Sequence, residues 1–183
     1  YHGYSILAVD FPGHGRSEGE FIKSIEEMAD WIPELLSAAG LEKASLVGHS
    51  MGALVALECA ARYSENVSSL CLIGSAAKMP VHPVLLDASL KGDQLAYDLV
   101  TSWEHGPTGH FGNPPVPGMS LLGGAKSLLN SAPNGALGVD LAACNNYHNG
   151  MNAASKISCP VLCLSGSQDK MSTSFEGLKL AEA

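Results

Sequence analysis

Long hydrophobic runs, an excess of positive charge and closely paired cysteines are all missing from this chain of 183 residues. No apolar stretch approaches the roughly 20 residues that a membrane-spanning helix needs. The 10 Lys and Arg residues are outnumbered by 18 Asp and Glu residues, which leaves a net charge of −8 and argues against nucleic acid and anionic membranes as partners. Hydrophobic residues make up 46% of the chain, which favours a globular protein over a disordered one, and we expect it in the cytoplasm.

The cysteines are odd in number, and none forms a Cys-x-x-Cys pair. They are Cys59, Cys71, Cys144, Cys159 and Cys163. Cys59, Cys71 and Cys163 fall inside apolar runs, so we expect buried free thiols in a reducing compartment.

Metal and cofactor chemistry find little support in the sequence. Glu104, His105 and His110 are the nearest approach to a metal cluster, but they fall in a Gly/Pro-rich stretch where solvated histidines are the better interpretation. We predict no metal and no cofactor.

The most informative motif surrounds Ser50, in the run Gly48-His49-Ser50-Met51-Gly52. An apolar run (44–47) precedes it and an Ala/Leu-rich helical run (53–62) follows, which predicts a strand, a sharp turn and a helix with the serine at the apex. We expect a side chain at either glycine to collide with the neighbouring strand or helix. The alternative is an ordinary tight turn between a strand and a helix.

Four apolar runs predict strands, at 4–10, 44–47, 68–73 and 161–165. Helical patterns alternate with them, beginning at Ser24, Gly52 and Ser172. Ser24 to Glu27 fits a capping box, Gly40 is a fitting stop, and Pro33 predicts a kink or a break. This alternation favours an α/β fold with a mostly parallel sheet, whose active site lies at the carboxyl ends of the strands.

Between Ala76 and Lys156 the pattern changes. Short helical runs occur there, at 84–90, 94–103, 121–129 and 139–146, and a Gly/Pro/Asn-rich stretch, 106–118, interrupts them. No strand pattern is present, so we predict a helical insertion over the edge of the sheet.

Four of these segments together resemble the α/β-hydrolase superfamily, and most closely its capped esterase and proline-iminopeptidase-like branch. They are 10–17 (Asp-Phe-Pro-Gly-His-Gly-Arg-Ser), 46–53 around Ser50, 70–75, and 159–169, which ends in Gly-Ser-Gln-Asp. The resemblance implies an incomplete hydrolase core at 1–75 and 157–183, with a helical cap at 76–156.

The resemblance also implies roles for individual residues. Ser50 would be the nucleophile, the backbone N–H of Met51 one oxyanion donor, and Asp169 the acid that orients a catalytic histidine. His14 most simply orders its own loop, with contact to substrate as the second interpretation. His49 would be directed towards the sheet in a structural role, and it too is kept as a candidate substrate contact.

Parts of the family pattern are missing. The triad order in this fold is Ser, Asp, His, but no histidine follows His148, and the second oxyanion donor would precede Tyr1. The strand that should lie between the first two predicted strands is also absent. We therefore expect a fragment of a longer enzyme; the alternatives are a reduced variant whose sheet closes differently and one completed by a partner chain. A base from the cap (His82, His105, His110 or His148) would break the family's geometry.

The predicted function is serine hydrolysis of a small acyl substrate, an ester or thioester, through an acyl-enzyme. The catalytic histidine would lie outside this chain, so the chain alone should be inactive. Amide, carbon–carbon and cofactor-free peroxidase chemistries stay open. The alternative is a non-catalytic hydrolase-like protein that binds a ligand or a partner under the cap. The sequence indicates no oligomeric state.

Overall fold

The computed structural model describes residues 3–110, 118 and 120–183. Within them, one sheet contains three parallel strands in the order β1 (Ala44–His49), β2 (Val67–Ile73) and β3 (Val161–Leu164). Because the strands are parallel, their carboxyl ends meet at one edge of the sheet. The predicted α/β class with a parallel sheet is confirmed.

Helices connect and cover these strands. They are α1 (Ile25–Ala38), α2 (Met51–Arg62), α3 (Pro83–Leu90), α4 (Gln94–Trp103), α5 (Pro107–His110), α6 (Leu121–Asn130), α7 (Ala136–Asn146), α8 (Gly150–Ala154) and α9 (Ser174–Ala181), and a short 3₁₀ helix covers Ser64–Asn66. Among the described residues, no helix combines the length and the apolar character needed to cross a membrane.

The core of the molecule is organised around α2. This helix is apolar on nearly all sides, and eight consecutive residues, 53–60, are buried, of which only Glu58 is charged. It contacts α1, α8, β1 and β2, so each of its faces has a neighbour. A helix that is hydrophobic all round is stable only when it is enclosed in this way.

The first helix begins as its sequence predicts. The Ser24 side chain accepts a hydrogen bond from the Glu27 backbone N–H at 3.2 Å, and Gly40 follows the helix with a φ of +70°. A kink or a break was predicted at Pro33; the break is wrong, because α1 runs through the proline without interruption, and the kink stays a prediction. Buried residues on both sides of the proline, among them Met28 and Leu36, pack this helix onto the core and outweigh the one hydrogen bond that proline removes.

The predicted strand at 4–10 is also wrong. This segment has no strand structure, and its side chains are exposed, Tyr4 and Ile6 to 84% each. An alternating pattern of apolar residues gives a segment one hydrophobic face, but the segment becomes a strand only when it forms hydrogen bonds with a neighbouring strand. Within the described part of the chain, no strand pairs with this segment.

Helices alone occupy the described part of the predicted cap, 76–156, and the four predicted helical runs correspond to α3, α4, α6 and α7. Helices α5 and α8 are additional. Most of the Gly/Pro/Asn-rich stretch lies outside the described residues. Four cap residues form a small apolar cluster of their own, Leu85, Ala88, Ala96 and Val100. The division of the chain into core and cap stays a prediction.

The cysteines are all free, but they are less buried than the sequence predicts. Cys59 and Cys144 are buried, and burial is the main cause that raises the pKa of each thiol to about 12. Cys71 and Cys163 are only half-buried, because they lie on strands that are partly open to solvent.

A buried carboxylate connects α2 to the segment between α7 and α8. Glu58 is 3% exposed and accepts hydrogen bonds from the Tyr147 hydroxyl at 2.6 Å and from Nδ2 of Asn149 at 2.9 Å. Burial, and then the hydrogen bond to Glu58, raise the pKa of Tyr147. A buried carboxylate is costly unless such donors satisfy it, so this contact holds the two segments in one arrangement.

We expect Tyr147→Phe to lower the free energy of unfolding by about 1.5–3 kcal/mol, because it removes a buried hydrogen bond to a charged acceptor. Chemical denaturation measures the difference. Tyr97→Phe is the matched control: Tyr97 lies on α4, its hydroxyl bonds to no described group, and a change below about 0.5 kcal/mol is expected. Equal effects of the two substitutions would contradict this account.

Candidate active site

Ser50 stands at the junction of β1 and α2 with φ 52° and ψ −118°. No other non-glycine residue in the described chain has a positive φ. Such a conformation costs of the order of 1–3 kcal/mol and persists only where the surroundings impose it. Here the Ser50 N–H donates to the Ile73 carbonyl at 3.0 Å, which fixes the turn against the end of β2.

The two glycines of the motif differ in their surroundings. A Cβ at Gly48 would collide with the carbonyl of Gly52 and would stand 2.7 Å from the backbone nitrogen of Ala53. A Cβ at Gly52 would meet nothing within 4 Å. The predicted collision is therefore confirmed at Gly48 and wrong at Gly52, which faces open space.

We expect Gly48→Ala to destabilise the fold by about 3 kcal/mol, because the obstructing atoms are backbone and cannot rotate away. Gly52→Ala should leave stability unchanged or raise it by up to about 1 kcal/mol, because alanine favours a helix. Thermal unfolding of the two variants, side by side, provides the test. Similar losses from both would show that the turn is not set by the approach of Gly48 to the helix.

The first turn of α2 leaves backbone donors at the apex. The Ser50 side chain does not cap the helix, and among the described residues no acceptor takes the Met51 N–H. Free backbone amides together with the positive end of the helix dipole favour the binding of an anion at this point.

Asp169 follows β3, in the loop that leads to α9. Its Oδ1 accepts hydrogen bonds from the backbone N–H groups of Met171 and Ser172, both at 2.8 Å. Its Oδ2 faces the end of β2, 3.4 Å from the point that a Cβ on Gly74 would occupy. One oxygen therefore fixes the loop, and within the described residues the other has no hydrogen-bond donor.

His49 also lies near Gly74, at the end of β2. Its Nε2 lies 3.5 Å from the same point above Gly74, and its side chain is exposed. The ring therefore lies beside the end of β2, and the Asp169 carboxylate approaches the same point. Gly74 itself has a φ of +55°, a backbone conformation that favours glycine, and its place beside both side chains was not predicted because a glycine after a strand is common.

His14 lies in the loop at 11–17 and not at the apex of the turn. Its Nδ1 is 3.1 Å from the Pro12 carbonyl, inside its own loop, and its Nε2 is 3.2 Å from Oδ2 of Asp140 on α7. Nothing in the sequence pattern indicated Asp140 as a partner, because it is 126 positions away along the chain.

Within the described residues, no histidine forms a hydrogen bond with the Ser50 hydroxyl. Several have other partners: His82 accepts from the Val84 N–H, and ring nitrogens of His105 and His110 approach the carbonyls of Thr101 and Ser102. The structure thus brings Ser50, the free Met51 amide, His49 and Asp169 to one edge of the sheet, but in the part of the chain that it describes no base is hydrogen-bonded to the serine.

An open cavity of 390 Å³ lies elsewhere. It is lined by Phe21, Ile22, Glu27, Asp30, Trp31 and Glu34, and none of the predicted site residues contributes to it. We give it no weight in locating the chemistry, because it offers neither a nucleophile nor an oxyanion donor.

Part of this chain is similar in sequence to curated proteins. A pimeloyl-(acyl-carrier protein) methyl ester esterase of Neisseria meningitidis is 40% identical over 78 residues, which is 42% of this chain and 28% of the esterase. The dihydrolipoyllysine-residue acetyltransferase component of the acetoin cleaving system of Pseudomonas putida is 39% identical over 72 residues, which is 39% of this chain and 20% of that protein. The chain thus spans less than a third of these curated relatives.

Solved structures match over almost the whole chain. An enol-lactonase from Burkholderia xenovorans aligns with a TM-score of 0.78 at 21% identity, over 93% of this chain and 65% of that one. A thermophilic esterase from Thermogutta terrifontis aligns with a TM-score of 0.77 at 23% identity, over 94% of this chain and 65% of that one. At these identities the likeness concerns the fold.

The family model described as the alpha/beta hydrolase fold matches residues 1–109, a span that includes the loop at 11–17 and the turn at Ser50 and ends within α5. That span is more than half of the sequence, and the chain therefore belongs to the α/β-hydrolase family.

Proposed function

We propose that this protein is a serine hydrolase that cleaves ester-type bonds of small acyl substrates. The observation that carries the proposal is the strained backbone of Ser50 at the start of α2. A protein accepts this strain where it serves a function, and here it raises a hydroxyl at the sheet edge where α/β folds bind ligands.

In the proposed reaction the Ser50 Oγ attacks the acyl carbonyl, and the alcohol or thiol leaves from an acyl-enzyme that water then hydrolyses. The free Met51 N–H supports the role of oxyanion donor, since it has no other acceptor among the described residues. The contacts of Asp169 support its role as the orienting acid. Its Oδ1 accepts the two backbone hydrogen bonds that hold the loop, so its Oδ2 can accept a hydrogen bond from an imidazole.

We propose further that the general base is a histidine outside these 183 residues. Two facts support this: the described histidines make no hydrogen bond to Ser50, and the chain spans only 65% of the length of the two solved structures above. On this proposal the chain alone is inactive. Free cysteines and an acidic composition support a cytoplasmic location.

Hydrolysis of p-nitrophenyl acyl esters by the longest natural form of the protein tests the substrate class. We expect release of p-nitrophenolate, with kcat/KM at least about 100-fold above that for the matching p-nitroanilides. Cleavage of the anilides at a comparable rate would point to an amidase instead. No cleavage of either, by a folded protein, would contradict the proposed hydrolysis.

The competing function is non-catalytic binding of a ligand or partner. The lack of a base beside Ser50 in the described chain favours it. An active-site probe separates the two, because only an activated serine reacts quickly with a fluorophosphonate.

A further inference from the structure

One ion-pair geometry is not used by the proposed chemistry. It joins His14, in the loop at 11–17, to Asp140 on α7, with Nε2 and Oδ2 3.2 Å apart. The two side chains are 18% and 23% exposed. They therefore connect distant parts of the sequence in a setting that is mostly shielded from water.

The hydrogen-bond partners of His14 determine where its protons are. A carbonyl oxygen can only accept, so the approach of Nδ1 to the Pro12 carbonyl at 3.1 Å requires a proton on Nδ1. A neutral imidazole then presents a lone pair at Nε2. An ionised carboxylate presents only lone pairs as well, so the contact with Asp140 needs one further proton, carried by either partner.

The surroundings of Asp140 favour retention of that proton. Its Oδ1 is buried and has no hydrogen-bond partner. Burial raises the pKa of Asp140, and the charge of His14 opposes this only in part. A carboxyl with a raised pKa stabilises the folded state at low pH and loses that contribution as the pH rises through the raised value.

The other described neighbours of His14 and Asp140 do not change their charge near neutral pH. The Cys144 thiol, one turn further along α7, has a pKa raised to about 12 by burial and then by Asp140. The edge of the Phe21 ring packs against His14 with centroids 5.2 Å apart and carries no charge. Among the described residues, only His14 opposes the effect of burial on the pKa of Asp140.

We propose that His14 and Asp140 form a proton-dependent clasp between the 11–17 loop and α7, which opens at alkaline pH. When the shared proton is lost, two lone pairs face each other at 3.2 Å in a partly buried site, and the contact becomes repulsive. The first half of α7 is then released, because that half packs Leu137 and Leu141 against the separate cap cluster, while Ala143 and Cys144 belong to the main core.

Amide hydrogen exchange of the wild-type protein and of Asp140→Asn tests the clasp without need of activity. The asparagine amide can donate to neutral Nε2, so the variant needs no shared proton. When the pH is raised from about 6 to about 9, so that the shared proton is lost, protection of residues 136–141 should fall on the order of tenfold in the wild type relative to the variant. Protection of α2 should stay equal in both.

Equal protection of residues 136–141 in the two proteins at both pH values would overturn the proposal. If Asp140→Asn fails to fold, the wild type supplies its own reference, through the ratio of protection in residues 136–141 to that in α2. A ratio that does not fall with pH would overturn the proposal equally.

Discussion

Ser50→Ala is expected to lower kcat for ester hydrolysis at least about 10⁴-fold in the longest natural form of the protein, with a structure that is otherwise unchanged. The hydroxyl makes no hydrogen bond to any described group, so its removal breaks no structural contact. Alanine also lacks the nucleophile that the acyl-enzyme requires. Steady-state kinetics, with circular dichroism as the folding check, measure the loss.

Ser75→Ala is the matched control. Ser75 lies just after β2, at the same edge of the sheet as Ser50. It is 1% exposed, and its hydroxyl has no hydrogen-bond partner among the described residues. Its removal should leave kcat within about twofold, since it does not lie at the turn that begins α2, and it should not lower stability. If Ser50→Ala retained most of the activity, the nucleophile would have to lie elsewhere.

Asp169→Asn is expected to lower kcat about 10⁴-fold while the loop keeps its shape. The asparagine carbonyl can still accept the N–H groups of Met171 and Ser172, which the carboxylate accepts at 2.8 Å. The negative charge that would stabilise an imidazolium is lost. The expected signature is a fall in kcat with little change in KM or in thermal stability.

Asp93→Asn provides the comparison. Asp93 Oδ1 accepts the Leu95 N–H at 3.0 Å and caps α4, so the substitution makes the same chemical change in the same kind of turn. It lies in the predicted cap, away from the sheet edge, and should leave kcat unchanged. A similar loss of activity from both substitutions would indicate that Asp169 matters only for folding.

The parts of the fold that the sequence predicted are those with local causes. The predicted helical run at 94–103 has the same bounds as α4, and the structure shows a local cause, since the Asp93 side chain caps the helix. The turn at Ser50 was predicted from five adjacent residues. The pattern that marks each of these elements is local, although the turn at Ser50 is also held by the hydrogen bond to the Ile73 carbonyl.

The parts that were missed depend on distant residues. A strand at 4–10 requires a neighbouring strand, and no local pattern reports whether one is there. The contacts from Glu58 to Tyr147 and from His14 to Asp140 join positions 89 and 126 apart, and nothing in their sequence surroundings marks these residues as partners. Gly52 was misjudged for the same reason, since its free space is a property of the assembled fold.

The most direct measurement of the central claim is labelling with a fluorophosphonate, followed by peptide mapping, on the longest natural form of the protein. We predict one covalent adduct, on Ser50, that disappears in Ser50→Ala and persists in Ser75→Ala. A folded protein that takes no label, or that takes it at another residue, would contradict the assignment of Ser50 as an activated nucleophile.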